Sequence, residues 1–320
     1  MHDINSLKNK IKDIPQLPGV YKMLDQNNHI IYIGKSKCLK KRVQSYFVNS
    51  PKWEKVSKMV TMIKDIDYIV TDTHLEARLL ECDLIKHFQP RFNAQMKNDQ
   101  RYIYIKVNSY NPHNVLSLVT DRDIDCFGPF RNKYAMNEFL LNLTNIYPIK
   151  KKDHNYEFSY NLLPRKITKE IFNQNREVVL ELLSDGRKLM VLIAFIQRKL
   201  EEAALEYRYE IASYYRDLKI GFDQIKNYME RYQHLSSKNI LLKLPVQDGF
   251  KLFFISGGMV CNSTTIPNLT DIAVRNFLDS SRLSEQFLLA GSISEKAMID
   301  YRDIVFSEIN DLPKEMVEYV

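Results

Sequence analysis

The run PGVYKMLDQNNHIIYIGKSKCLKKRVQSYF, from Pro18 to Phe47, holds three phenols among a series of cations. Tyr21 closes the triplet Gly19-Val20-Tyr21 and Tyr32 opens Tyr32-Ile33-Gly34, on either side of the polar stretch Asp25-Gln26-Asn27-Asn28. A phenol, with an ordinary pKa of about 10, acts as a base or nucleophile near neutral pH only beside cations or a metal ion. Lys35 and Arg42 follow directly. An arginine grips a phosphate through two parallel hydrogen bonds, and Tyr46 lies one helical turn beyond Arg42, on the same face. This segment supplies the cations that such a phenol needs.

These side chains need a frame. Residues 19–24 and 29–33 are β-prone runs around a turn signal, which predicts a hairpin. Antiparallel partners around this turn sum to 53 or 54, making Tyr21 and Tyr32 near neighbours across the pair. The stretch from Leu39 to Phe47 reads as a helix and residues 67–71 as a third strand. Thr73 or Asp72 caps a further helix that ends near Phe88, before Pro90. The order β-β-α-α-β-α predicts a small three-stranded antiparallel sheet with helices on it.

On the last of these helices, at about 100° per residue, Ala77, Leu80, Leu84 and Phe88 form an apolar face. Glu81 sits at the edge of that face, and Glu76 lies with Asp83 and His87 on the polar side. A carboxylate at the core margin needs a cation, a hydrogen-bond donor or a metal ion. A buried salt bridge and a metal site both meet that need, and the helix alone does not choose between them. Asn93, after Pro90-Arg91-Phe92, reads as a turn residue.

The chain has 320 residues, 45% of them hydrophobic, and a net charge of +7. That is a globular composition with room for two or three domains. Residues 1–106 carry 19 Lys+Arg against 11 Asp+Glu, leaving the rest close to neutral. A basic first segment suits a polyanion partner, although a lysine-rich solvated face gives the same count. Cys38, Cys82, Cys126 and Cys261 stand far apart without a CxxC pair, which excludes a recognisable zinc motif. The opening Met1-His2-Asp3-Ile4-Asn5 leads into a charged stretch rather than a secretory leader. No run of about 18 apolar residues occurs, so no membrane association and a cytoplasmic location are the expectation.

Further along, residues 102–107 and 115–119 suggest another hairpin, 127–130 a loop and 133–145 a helix. The polar stretch 150–157 with three consecutive lysines reads as a boundary. Residues 168–183 and 187–232 are mostly helical. Leu189, Ile193, Ile196 and Leu200, followed by Ala203, Ala204 and Tyr207, recur at helical spacing. Such a stripe is usually core, and a long helical pair with few other elements to bury it also offers a face to a partner. Residues 240–266 return to a strand pattern, and 271–320 mix helical and short apolar segments. The expected class is α+β.

With these residues in view, the sequence resembles the GIY-YIG nuclease superfamily, and within it the N-terminal half of the UvrC family of excinuclease subunits. The triplets GVY and YIG, then YIGKSKCLKKRVQSYF, LEARLLECDLIKHFQPRFN, RYIYIKV and FGPF stand in the family's order and spacing over residues 10–150. The resemblance implies that Tyr32 is the general base that activates water, with Tyr21 supporting it by hydrogen bonding. Lys35 and Arg42 match the cations that lower the phenol's proton affinity and hold the phosphate. Tyr46 matches a conserved tyrosine, and Glu81 rather than Glu76 the single metal carboxylate. Gly34 and Asn93 support the site. The implied reaction is Mg²⁺- or Mn²⁺-dependent hydrolysis of DNA. Lys37, Lys40, Lys41, Lys52, Lys55 and Lys58 would meet flanking phosphates without reading sequence.

A second resemblance lies in FIQRKLEEAALEYRYEIASYYRDLKI, residues 195–220, which is similar to the UVR motif, the helical hairpin that binds UvrB. Ala203, Tyr209 and Arg216 fall on its characteristic positions, Tyr209 in place of a common phenylalanine. The implied organisation is a nuclease domain over 1–100, an associated α+β extension over 101–150, a helical linker over 151–186, the UVR hairpin over 187–232 and a C-terminal α+β region over 233–320 with no assigned role.

The chain departs from the family in two places. Residues 150–186 contain no cysteine, so no iron–sulfur cluster is expected there. With Val320 as the last residue, the expectation is a chain without the RNase H-like domain that makes the 5′ incision, either a 3′-cutting short form or one half of a split enzyme. The implied function is the 3′ incision of nucleotide excision repair together with UvrB. The alternatives are a stand-alone GIY-YIG nuclease of a mobile or defence element, and a non-catalytic module that binds UvrB or DNA.

Overall fold

The computed structural model describes residues 4–47, 54–97, 102–111, 114–163, 165–236, 238–290 and 295–320. Their contacts form two compact units, one of Met1–Asp99 with Leu235–Val320 and one of Gln100–His234. The fold is α+β throughout.

The first unit opens with α1 (Ile4–Asp13), β1 (Gly19–Leu24), β2 (Ile30–Ser36), α2 (Leu39–Gln44), α3 (Glu54–Met62), β3 (Asp65–Val70) and α4 (His74–Phe88). The strands form an antiparallel sheet in the order β2-β1-β3. The β1–β2 turn is held by Asp25, whose Oδ1 accepts from the backbone N–H of Asn27 at 2.8 Å and of His29 at 3.0 Å. Alternation along β1 sends Tyr21 and Met23 to one face, where Ile11, Ile14, Leu39, Val43, Met59 and Ile66 bury them. Val20 and Ile33 point to the other face and pack on Ala77 and Ile85 of α4. The helix expected to run to Phe47 stops at Gln44, so Tyr46 sits just past its last turn.

The second unit contains β4 (Ile103–Val107), β5 (Leu116–Val119), β6 (Cys126–Phe130), α5 (Lys133–Thr144), β7 (Lys150–Lys152), β8 (Asn155–Glu157), α6 (Lys169–Ser184), α7 (Gly186–Leu205) and α8 (Tyr209–Ser236). Residues 127–130, expected as a loop, form the edge strand β6 of the sheet β5-β4-β6. An edge tolerates Pro129, because that position need not donate to a neighbouring strand. The polar stretch read as a boundary is the hairpin β7–β8, inside this unit. Asp185 separates α6 from α7 by accepting from the backbone N–H of Arg187 at 2.9 Å, an N-cap. The stripe Leu189, Ile193, Ile196 and Ala203 is buried with Tyr215, Leu218 and Phe222 of α8. These four are core, whereas Ala204 and Tyr207 at the end of the same stripe are exposed. Gly221, which reads as a helix breaker, lies within α8, where a Cβ would come 2.0 Å from the Phe139 ring.

The chain then returns to the first unit with β9 (Ile240–Val246), β10 (Gly249–Ser256), β11 (Met259–Ile266), α9 (Asp271–Ala290), α10 (Glu295–Asp311) and β12 (Val317–Tyr319). The sheet is antiparallel in the order β11-β10-β9-β12. Ile240, Leu242, Phe253 and Ile255 of this sheet, with Ile304 and Val305 of α10, enclose Leu75 and Cys82 of α4. Helix α4 is therefore buried on two sides, by its own sheet through Ala77 and Ile85 and by the C-terminal layer through Leu75 and Cys82. The polar side is contacted by that layer only in part, with Asp83 and His87 still exposed. Tyr301 donates to the Asp83 carboxylate, and Lys86 donates to Ala297 O at 2.8 Å. Phe88, expected on the apolar face, is 46% exposed at the helix end.

Phe253 is 1% exposed and Cys82 is fully buried. Phe253→Ala is expected to lower stability by about 3–5 kcal/mol. It should also make Cys82 reactive toward a thiol reagent under native conditions, and a thiol count on the folded variant checks this.

Candidate active site

The β1–β2 ladder has a one-residue irregularity. Leu24 pairs with Ile30, Met23 with Tyr32 and Tyr21 with Gly34, so Ile31 is an extra residue on β2, a β-bulge. The expected sums of 53 or 54 therefore hold only beside the turn. Beyond the bulge the register moves by one, and the direct partner of Tyr21 is Gly34. An uninterrupted register continuing Leu24–Ile30 would set Tyr21 opposite Ile33 and send Tyr32 to the other face of the sheet. The bulge puts the two phenols on one face as diagonal neighbours, with ring centroids 6.1 Å apart.

Tyr46 completes a triangle. Its ring lies 6.0 Å from that of Tyr21 and 6.2 Å from that of Tyr32, and its Oη is 2.8 Å from Tyr21 Oη. The Arg42 guanidinium carbon lies 5.0 Å from the Tyr46 ring centroid, a cation–π contact. Gly34 makes room for this arrangement, since a Cβ there would come 2.3 Å from Tyr21 Oη. Tyr21 is fully buried, whereas Tyr32 keeps a partly open face. Burial, and then the neighbouring phenols, push the proton affinity of Tyr21 well above the ordinary range, and Arg42 opposes this without outweighing it. Burial, then Tyr46, push Tyr32 up as well. The expected lowering by nearby cations is outweighed, and both phenols are neutral at physiological pH.

Helix α4 starts in a capping box. Thr73 Oγ1 accepts from Glu76 N at 3.2 Å and Glu76 Oε2 accepts from Thr73 N at 2.9 Å. Glu76 also pairs with Lys251 at 2.9 Å. That assigns Glu76 to the cap and leaves Glu81 as the carboxylate at the site. Glu81 Oε1 accepts from the Lys35 backbone N–H at 3.0 Å. Among the described residues Glu81 forms no ion pair, and burial holds its carboxyl above the usual range against the pull of Lys35 and Arg78. Burial likewise lowers the Lys35 ammonium. A half-buried carboxylate with one backbone donor and spare oxygen lone pairs fits a single divalent cation. Among the described residues no group of three or more His, Cys, Asp or Glu side chains could hold a metal ion, so such a cation would rest on Glu81 and water.

Asn93 does more than turn the chain. Its Oδ1 accepts from Ile33 N at 2.9 Å and its Nδ2 donates to Ile33 O at 2.8 Å. Phe92 N also donates to Ile31 O at 2.9 Å. The segment after Pro90 thus pairs with the free edge of β2 beside the bulge. Of the expected DNA-binding lysines, Lys37, Lys41 and Lys55 are exposed. Lys40 donates to Lys12 O at 2.6 Å and so caps the end of α1, and Lys58 pairs with Glu54 at 2.6 Å. Lys52 lies outside the described residues.

The sequence reading missed His74, Arg78 and Glu308. Arg78 Nη1 donates to Glu308 Oε2 at 2.9 Å, and His74 Nδ1 lies 3.3 Å from the same oxygen. The spacing of His74, Arg78 and Glu81 along one ridge of α4 was visible in the sequence; their partner from α10 was not. Burial alone would raise the Glu308 carboxyl, but His74 and Arg78 outweigh it and bring it down to about 2.

In the second unit, α7 and α8 are joined by a tight turn in which Arg208 N donates to Ala203 O at 2.9 Å. Ala203, expected to meet a partner, is buried beneath that turn because its small side chain fits the helix contact. Tyr209 is 66% exposed, beside Leu205 at 80% and Tyr207 at 78%. Arg216 is exposed and paired with Asp217 at 2.9 Å.

A bulged three-stranded sheet carrying a tyrosine triangle, backed by a helix with one carboxylate, defines the GIY-YIG class of domain. Residues 17–94 match the UvrC-like GIY-YIG domain, so the chain carries a domain of that family. It is 35% identical over 240 residues to the UvrABC system protein C of Alkaliphilus oremlandii, covering 68% of this chain and 38% of that protein. It is 33% identical over 277 residues to the protein of the same name in Acetivibrio thermocellus, covering 79% and 44%. The chain thus spans less than half the length of these curated relatives. The solved GIY-YIG N-terminal endonuclease domain of UvrC from Thermotoga maritima, bound to its catalytic divalent cation, magnesium, is 35% identical. It matches over 29% of this chain and all of that one, with a TM-score of 0.27.

Gly34→Ala is expected to displace the Tyr21 ring and lower stability by about 1–3 kcal/mol, which chemical denaturation would measure. Acid should also act through Glu308. Its folded pKa, about 2, lies below the ordinary 4.5, so its contribution is complete above the ordinary value and fades as pH falls toward the folded one. Stability should decline over that window, and the decline should be shallower in Glu308→Gln.

Proposed function

We propose that this chain is a metal-dependent DNA endonuclease of nucleotide excision repair, which hydrolyses a phosphodiester on the 3′ side of a lesion in concert with UvrB. The observation that carries the reading is the placement of Tyr32, Tyr21 and Tyr46 on one face, with Arg42 against Tyr46 and Glu81 bonded to the Lys35 backbone. Tyr32 is the phenol that reaches solvent; once its own proton has passed to solvent, its phenolate Oη takes the proton of the attacking water. Tyr21 and Tyr46 share a hydrogen bond that fixes the wall behind it. Arg42 and Lys35 hold the phosphate, and the exposed Lys37 and Lys41 meet its neighbours. Mg²⁺ or Mn²⁺, held on Glu81, would supply charge stabilisation to the phosphate and the leaving oxygen. Gly34 and Asn93 keep the face in shape by the contacts described above.

The exposed tip of Leu205, Tyr207 and Tyr209 supports docking to UvrB, with Arg216 at its side. Ala203 supports the tip from beneath. This feature favours the repair reading over a stand-alone nuclease, which has no need of such an apolar tip. No helix among the described residues is long and apolar enough to cross a membrane.

Incision of a duplex with a defined lesion, with UvrB and Mg²⁺, tests the reading. Tyr32→Phe should slow incision about 10²–10⁴-fold, and Arg42→Ala and Glu81→Ala should abolish it while DNA binding persists. Undiminished cutting by the Arg42 and Glu81 variants would remove the site assignment. Equal cutting of undamaged DNA without UvrB would favour the stand-alone nuclease.

A further inference from the structure

The Arg78 guanidinium lies one helical turn from Glu81 on the same ridge of α4, the i,i+3 spacing at which side chains meet. Its charge acts on both Glu81 and Lys35. It is nevertheless turned away from Glu81. Arg78 Nη1 donates to Glu308 Oε2 at 2.9 Å and lies 3.3 Å from Ser307 Oγ, both on α10. The Arg78 and Glu308 side chains are only 14% and 10% exposed. A guanidinium in that setting must keep an anionic partner, because an unpaired buried charge is strongly disfavoured. Removing Glu308 would leave Glu81 as the carboxylate one turn away.

We infer that Glu308 is a positioning residue which keeps Arg78 off Glu81, so that the C-terminal region holds the carboxylate open for its cation. This gives residues 235–320 a role in the site, in addition to covering Leu75 and Cys82. The mechanism is competition for one anion. A guanidinium bound to Glu81 would occupy the oxygens that a divalent cation needs. Helix α10 supplies a second carboxylate that satisfies the guanidinium first. The anchoring is redundant along α4, since Lys86 pairs with Asp300 at 3.4 Å and Tyr301 bonds to Asp83. Loss of Glu308 should therefore redirect Arg78 without undocking α10.

The inference rests on Glu81 as the metal carboxylate, and direct Mn²⁺ binding to the full chain, read by electron paramagnetic resonance or calorimetry, separates the two. The native chain should bind Mn²⁺ and Glu81→Gln should not; equal binding by both would overturn the assignment of Glu81 itself. Glu308→Gln should weaken binding about tenfold or more, and adding Arg78→Met to it should restore binding, because no guanidinium remains to compete. Binding by Glu308→Gln equal to the native chain would overturn the inference. So would a double variant as weak as the single one, since that is the result of a packing role alone. Glu308→Asp keeps the charge but draws it back from Arg78. It should show the same effect in smaller degree, again relieved by Arg78→Met, and keeps the test decisive if Glu308→Gln does not fold. Circular dichroism of each variant confirms the fold before titration.

Discussion

The site hangs on the extra residue at Ile31. In a two-stranded ladder, every side chain beyond a bulge changes face relative to the register before it. Here that change separates two arrangements of the same tyrosines, one with the phenols on opposite faces of the sheet and one with both on the face that Tyr46 and Arg42 approach. The bulge is secured from both sides. On the inner side, Ile31 and Tyr32, consecutive residues, both pack into the cluster around Met23 and Leu39. On the outer side, Asn93 and Phe92 take up the backbone of Ile33 and Ile31. Gly34 is the geometric consequence: once Tyr21 lies opposite position 34, only a residue without a side chain leaves room for the ring.

A second constraint acts on the carboxylate. Helix α4 has apolar residues on two sides, and each finds a different layer. One layer comes from the same stretch of chain, and the other arrives after the whole second unit has been traversed. Being held between them fixes the rotation of the helix about its axis and thus the direction of Glu81 toward the backbone of Lys35. The contacts Lys251 with Glu76, Arg78 with Glu308, Lys86 with Asp300 and Tyr301 with Asp83 engage the other charged groups of the helix, and Glu81 forms no ion pair among the described residues.

Burial dominates the electrostatics. It raises the proton affinity of Tyr21, Tyr32 and Glu81 and lowers that of Lys35, all in the direction that favours the neutral form. A site so poised holds its protons until more positive charge comes close, which is what a divalent cation at Glu81 would bring. The surrounding cations are arranged to hold an anion rather than to ionise the phenols in advance.

Much of the site was legible in local sequence. The triplets around the polar turn, the run from Lys35 to Tyr46, and Glu81 at the margin of an apolar helix face follow from short-range periodicity and side-chain chemistry, because hairpins and helices are local structures. The stripe on α7 was legible, and its usual reading as core holds for Leu189, Ile193, Ile196 and Ala203, but periodicity says nothing of what covers an apolar face and did not show that Tyr207 stays exposed. Long-range pairing was out of reach. Asn93 reads as a turn residue until the edge of β2 lies beside it, and Lys40 as a DNA contact until the end of α1 is seen to bind it. Sequence alone picked out the candidate groups and the elements that carry them. Tertiary structure alone decided the face on which the phenols meet, through a one-residue shift in register, and the freedom of Glu81, through a partner for Arg78 some 230 positions away, because both depend on contacts between segments that no local pattern connects.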